Sequence, residues 1–161
     1  MTSAPLSGPL DEPGDEPGDE PGTGHIEDGW HVLPMRVYWE DTDAAGIVYY
    51  ANYLKFMERG RTDMLRHMGI AQRRLQQEDD VAFAVRSCNV EYLKPARLDD
   101  RIEVWTRVTA AAGATLNVEQ KVRLQGGDLV TGELRLACIN GAGRPKRVPH
   151  AVRAALGPLL P

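Results

Sequence analysis

Asp41-Thr42-Asp43-Ala44-Ala45-Gly46-Ile47-Val48-Tyr49-Tyr50-Ala51-Asn52-Tyr53 is the stretch on which the reading of this chain turns. Two carboxylates stand two residues apart, just after an alternating apolar run through Val37 and Trp39. Gly46 follows, then a short β-branched and aromatic run, then a helical pattern. An acid held in a loop ahead of a helix start can face free backbone N–H groups across a small gap. That arrangement suits attack on a carbonyl whose oxygen is becoming negative. A plain surface turn, with the acids bonding nearby N–H groups and Gly46 at positive φ, would use the same residues.

Outward from this stretch, Asn52 to Met68 predicts a helix with Leu54, Met57, Arg61, Met64, Leu65 and Met68 on or near one stripe. Gly60 in its middle costs about 1 kcal/mol relative to alanine, which predicts close contact with a sheet. Arg66, His67 and Gly69 make the stop. A strand is predicted before the acids, near Leu33 to Trp39. Four long alternating segments follow the helix, at about Ala82–Tyr92, Arg101–Thr109, Thr115–Leu124 and Leu129–Asn140. The third puts Leu116, Val118, Val122 and Leu124 on one face and Asn117, Glu119, Lys121 and Arg123 on the other. Gly113 and the pair Gly126-Gly127 punctuate the last three as hairpins. One long helix with an antiparallel meander is an α+β fold.

The run from Met35 through Tyr53 into Phe56-Met57-Glu58-Arg59-Gly60-Arg61 resembles the signature of the 4-hydroxybenzoyl-CoA thioesterase family. The nearest likeness is to its acyl-CoA thioesterases associated with the Tol-Pal system. Val90-Glu91-Tyr92-Leu93-Lys94-Pro95-Ala96-Arg97-Leu98-Asp99-Asp100 resembles the same branch. The likeness spans roughly residues 32 to 148 and implies the hotdog fold, a sheet curled around a central helix. It also implies thioester hydrolysis without a metal or redox cofactor, and homodimers or homotetramers that bind the thioester between protomers.

Carried over residue by residue, the resemblance assigns the catalytic carboxylate to Asp43, as nucleophile or as base for water, with both mechanisms open. It assigns the oxyanion donor to the backbone N–H of Tyr50. The Tol-Pal branch usually carries histidine at that position, so the tyrosine departs toward the hydroxybenzoyl type. Gly46, Ile47, Val48, Tyr49, Ala51 and Asn52 would line the substrate. Lys94 and Arg97 would meet the phosphates of coenzyme A or a phosphopantetheine arm; Arg86, Arg144, Lys146 and Arg147 are further basic candidates. Asp41 is the alternative acid, better read as a loop acid bonding backbone. Glu58 is the carboxylate a second thioesterase subtype would use, and an ion pair with Arg61 also explains it. Two other functions compete: a non-catalytic acyl-CoA-binding module, and a hotdog hydratase, against which Val48 stands where that enzyme's histidine is expected.

Composition sets the frame. At 161 residues the length suits one domain. Of 23 acids, eight fall in the first thirty residues, where there is no lysine or arginine. The other fifteen face all nineteen basic residues, so the body is mildly positive, which suits an anionic small molecule and not nucleic acid. Residues 1–30 read as a disordered acidic tail around a threefold Asp-Glu-Pro-Gly repeat, dispensable through residue 28. Residues 31–148 form the expected domain, and 149–161 a short helix and tail around Val152, Ala155 and Leu156. Cys88 and Cys138 have neither disulfide nor zinc spacing and read as small apolar fillers in a reducing compartment. Without a secretory signal or an apolar run of membrane-spanning length, the chain reads as cytoplasmic. The four histidines show no metal-ligand spacing, and neither a nucleophile elbow nor a phosphate loop occurs.

Overall fold

The computed structural model describes residues 24–161; most of the acidic tail, including the Asp-Glu-Pro-Gly repeat, lies outside them. Six strands form one antiparallel sheet: β1 (His25–Glu27), β2 (Trp30–Arg36), β3 (Ala82–Tyr92), β4 (Arg101–Ala112), β5 (Thr115–Leu124) and β6 (Gly127–Ile139). Their spatial order is β1-β2-β4-β5-β6-β3. The helix α1 (Asn52–His67) lies on the sheet's inner face, followed by the short α2 (Gln72–Glu78) and, near the C-terminus, α3 (His150–Ala155). This is the hotdog architecture expected from the likeness. No helix among the described residues is long and apolar enough to cross a membrane.

The helix sits against the sheet because Gly60 has no side chain. A Cβ there would lie 2.6 Å from a Val104 methyl and 3.0 Å from Thr106 Oγ1. Beneath it, fully buried Gln120 donates from Nε2 to Met57 O and Thr106 Oγ1, each at 2.9 Å. Gln120 Oε1 accepts from Arg61 Nη1 at 2.8 Å, so the buried amide and guanidinium satisfy each other. Two apolar clusters flank this clamp. One gathers Phe56, Met57, Ile102, Val104, Val122 and Val130 near the start of α1. The other gathers Met64, Leu65, Leu116, Leu136, Val152 and Leu156 near its end, where α3 closes the core. Each such large apolar side chain contributes about 1.5–3 kcal/mol when fully buried.

Several expectations shift. The strand expected at Leu33–Trp39 ends at Arg36, because the chain turns into a 3₁₀ segment over Trp39–Asp41 and leaves Trp39 79% exposed. On α1 the buried stripe runs through Tyr53, Phe56, Met57, Gly60, Arg61, Met64 and Leu65, while Leu54 faces out. The last hairpin turns at Gln125-Gly126, one residue before the expected pair; both have positive φ (50° and 80°), and Gly127 already pairs with Leu124. Cys138 is buried as expected, but Cys88 is exposed on the edge strand β3; both are free thiols.

The boundary of the body also moves. His25, Ile26 and Glu27 pair with Val32, His31 and Trp30 through a turn at Asp28-Gly29, and Gly24 N–H donates to Asp63 Oδ2 at 2.9 Å. Residues 24–30, expected to be tail, therefore belong to the sheet. A chain beginning at Gly24 is expected to keep the full-length melting temperature. Removal through residue 28 deletes β1 and the bond to Asp63, about 0.5–1.5 kcal/mol for each hydrogen bond lost, and should lower melting by several degrees. Equal melting of the two truncated chains in a thermal scan would show that β1 contributes nothing.

Candidate active site

After β2 the chain is led into the acidic loop by bonds from Val37 N–H to Asp100 O and from Asp99 N–H to Val37 O. The two acids then part ways. Asp41 is only 7% exposed, and its Oδ2 accepts the Tyr38 N–H at 2.8 Å, capping the 3₁₀ turn. Its carbonyl accepts Tyr49 N–H (2.9 Å) and Asn52 Nδ2 (2.8 Å). Asp41 and Asn52 are therefore the pins that hold the loop against the helix start. Asn52, expected to line substrate, has its amide committed to that pin and is 9% exposed.

Asp43 is the acid left outside. Its N–H bonds Ile47 O at 2.9 Å, and its carbonyl accepts Gly46 N–H at 3.0 Å, making a tight turn that uses Gly46 at φ 74°. The carboxylate is exposed; Oδ1 accepts Ala45 N–H at 2.8 Å, and Oδ2 has no partner among the described residues. An acid so placed can meet a carbonyl or a water. Thr42 and Val48 bridge across the base of the turn, and Ile47 bridges to Arg97. Val48, 3% exposed, belongs to the core and reaches the Pro95-Ala96-Arg97 loop through its N–H to Ala96 O (2.9 Å).

The helix start lies next in the chain. Asn52 N–H bonds Tyr49 O (2.8 Å) and Leu54 N–H bonds Ala51 O (3.2 Å), so the first turn is tight. Among the described residues nothing accepts the Tyr50 N–H. The first turn holds no acid, which leaves the positive end of the helix dipole uncompensated. The side chains of Tyr49 and Tyr50 are 44% and 61% exposed, with ring centroids 4.9 Å apart.

Two residues that sequence reasoning left without a role hold this corner. Tyr53 is buried, its hydroxyl accepts Ala96 N–H at 2.9 Å, and burial pushes its phenol pKa up. Tyr92, from β3, packs edge-on against both Tyr50 and Tyr53. Tyr92 and Ala96 stand in the second motif block, which was the available signal.

The structure thus brings Asp43, Gly46, Ile47, Tyr49, Tyr50 and Ala51 together with the loop carrying Lys94 and Arg97. The last two are exposed and have no ion-pair partner among the described residues. Glu58 lies apart, pairing with Arg61 and bonding Thr62 Oγ1 at 3.4 Å. Lys146 of the C-terminal basic cluster bonds Asp79 O beyond α2. A hollow of about 470 Å³ on the sheet, lined by Ser87, Asn89, Asn117, Glu119, Glu133 and Arg135 among others, shares no residue with this corner.

One antiparallel sheet wrapped around a long helix is the hotdog architecture, and the comparisons with known proteins give its class. The chain belongs to the thioesterase-like superfamily, whose family model matches residues 37–156. It is 43% identical over 123 residues to the acyl-CoA thioester hydrolase YbgC of Escherichia coli O6:H1, covering 75% of this chain and 91% of that protein. It is 41% identical to the acyl-CoA thioesterase YbgC of Haemophilus influenzae, covering 76% of this chain and 90% of that one. The crystal structure of a probable thioesterase from Bartonella henselae superposes with a TM-score of 0.72 at 36% identity, over 74% of this chain and 99% of that chain.

Proposed function

We propose that this protein hydrolyses the thioester of an acyl-CoA, or of an acyl-carrier protein, to the free acid and the thiol. Asp43 either attacks the carbonyl carbon, forming an acyl-aspartyl anhydride that water then hydrolyses to the free acid, or takes a proton from a water that attacks the thioester directly. The backbone N–H of Tyr50 stabilises the oxyanion, and the thiolate leaves as the thiol once protonated. The carrying observation is the division of labour between the acids: Asp41 is buried and bonded to the loop, while Asp43 stands exposed with one oxygen open. Water and these groups suffice for the chemistry, so the reading needs no metal or redox cofactor. Gly46, Ile47, Tyr49 and Ala51 line the reacting end, and Lys94 and Arg97 meet the phosphates. The names of the two YbgC relatives support the acyl-CoA substrate class. The reaction is assigned to the cytoplasm, consistent with two free thiols.

The working unit is a homodimer, or a homotetramer built from it. The support is β3, an eleven-residue edge strand with Val85, Tyr92 and the adjoining Leu93 about half exposed. A long edge strand with unpaired backbone groups invites pairing with a second copy, and a two-fold pairing would bring a partner's surface beside Tyr50 and Tyr92. Release of thiol from a panel of acyl-CoAs, followed with a thiol reagent while the enzyme is diluted, tests both statements. Expected are turnover of at least one acyl-CoA and a fall in specific activity below the dimer dissociation constant. Binding without turnover would make the protein a non-catalytic acyl-CoA module. A light-scattering monomer with concentration-independent activity would remove the shared site.

A further inference from the structure

Tyr92 closes β3 and reaches across to the start of α1. Its hydroxyl donates to the carbonyl oxygen of Tyr50 at 3.1 Å, between residues 42 apart in the chain. In a regular α-helix that carbonyl would accept the Leu54 N–H. Here Leu54 N–H goes to Ala51 O instead, at 3.2 Å, because the first turn is tight. Tyr92 is thus the hydrogen-bond partner of the Tyr50 carbonyl among the described residues.

The ring of Tyr92 adds two aromatic contacts to the bond made by its hydroxyl. It meets the Tyr50 ring at 6.0 Å and 85°, and the Tyr53 ring at 5.7 Å and 62°. Tyr53 is itself fixed by the Ala96 N–H and by an edge-on contact with Phe56 at 5.9 Å. Such edge-on aromatic pairs attract one another beyond what area burial alone gives. The edge strand therefore grips the residue whose N–H is the proposed oxyanion donor, through main chain and side chain together.

We propose that Tyr92 is a positioning residue for thioester hydrolysis: its hydroxyl fixes Tyr50, and so holds the Tyr50 N–H in line for the developing oxyanion. This rests on the reading of Asp43 and Tyr50 given above. An oxyanion donor gains its effect by being set before charge develops, so a loosened Tyr50 costs more in the transition state than in substrate binding. The arrangement also ties the reacting end to β3, the strand that would pair with a second copy.

Tyr92→Phe keeps both ring contacts and removes only the hydroxyl. One lost hydrogen bond of this kind predicts a fall in kcat of about 3- to 10-fold, with KM changed less than about 2-fold. Melting temperature and light-scattering mass should stay at wild-type values. Retention of wild-type kcat would overturn the role. So would a loss of activity that arrives with a lower melting temperature and a raised KM, the pattern of general loosening. Asp43→Asn measured alongside separates the two layers. If Asp43→Asn keeps turnover, the underlying reading of the site fails; if it is dead while Tyr92→Phe is fully active, only the Tyr92 assignment fails.

Discussion

Asp43→Asn is expected to lower kcat by roughly 10²–10⁴ while leaving the fold at its wild-type melting temperature. The substitution nearly preserves shape, and the amide oxygen of asparagine can still accept the Ala45 N–H that Asp43 Oδ1 accepts at 2.8 Å. What disappears is a carboxylate able to attack or to take a proton. The exposure of Asp43 means that no buried partner is abandoned, so stability should barely move. Asp41→Asn makes the opposite case. Its carboxylate is buried and caps the turn through Tyr38 N–H, and its carbonyl anchors Tyr49 and Asn52. Its change should register first in stability, and in activity only so far as the loop is displaced. Thiol release and thermal melting on both variants decide between them. Near wild-type kcat in Asp43→Asn, with Asp41→Asn inactive at unchanged melting temperature, would reverse the assignment.

The parts of this molecule that were legible in its sequence are those where a periodic pattern runs for ten or more residues. β5 begins and ends where alternation and turn residues place it, at Thr115 and Leu124. Gly60 was legible for a similar reason: a glycine in the middle of a good helix pattern costs stability unless something approaches closely, and Val104 and Thr106 do. Gln120 occupies an inward position by parity, but nothing in the alternation announces that it links Thr106, 14 residues away, to Arg61 and Met57, 59 and 63 residues away. α2 buries no residue, so it leaves no stripe to detect. β1 is three residues long, and its one local signal, Asp28-Gly29, follows a stretch of acids, prolines and glycines. At the site, motif order favoured Asp43 over Asp41, and the proposed division of roles rests on their burial, Asp41 buried and Asp43 exposed. The Tyr92–Tyr50 bond joins residues whose proximity depends on the whole sheet closing around α1, and no local pattern encodes that.

The second large effect is expected in stability against pH, and its source is His31. β2 turns this side chain inward, opposite Thr106, where it is fully buried. Its Nε2 lies 3.1 Å from Asp63 Oδ2, yet neither ring nitrogen makes a well-aligned hydrogen bond, and the same carboxylate oxygen already accepts the Gly24 N–H. Gly24 packs against the ring so closely that a Cβ there would sit 2.4 Å from Nε2. Water therefore has no room to solvate an imidazolium. Burial is the largest influence and lowers the pKa to about 4; Asp63 opposes it, while His67, with its ring 5.6 Å away, and His25 reinforce it. In the unfolded chain the same histidine titrates near 6.5. The unfolded state therefore takes up the proton first as pH falls. The stability due to a neutral His31 is complete above about pH 6.5 and is lost progressively down to about pH 4, an effect of about 3 kcal/mol at 1.36 kcal/mol per pKa unit. Carboxylates titrate in part of the same window, so the clean measurement is a difference. Denaturant unfolding of the wild type and of His31→Gln, which cannot titrate, should give a stability difference that is flat above pH 7 and shrinks by about 3 kcal/mol between pH 6.5 and 4. Parallel curves would mean that His31 keeps an ordinary pKa. A difference that grew on acidification would mean that attraction to Asp63 outweighs burial, and that the β1 corner is tightened rather than loosened by acid.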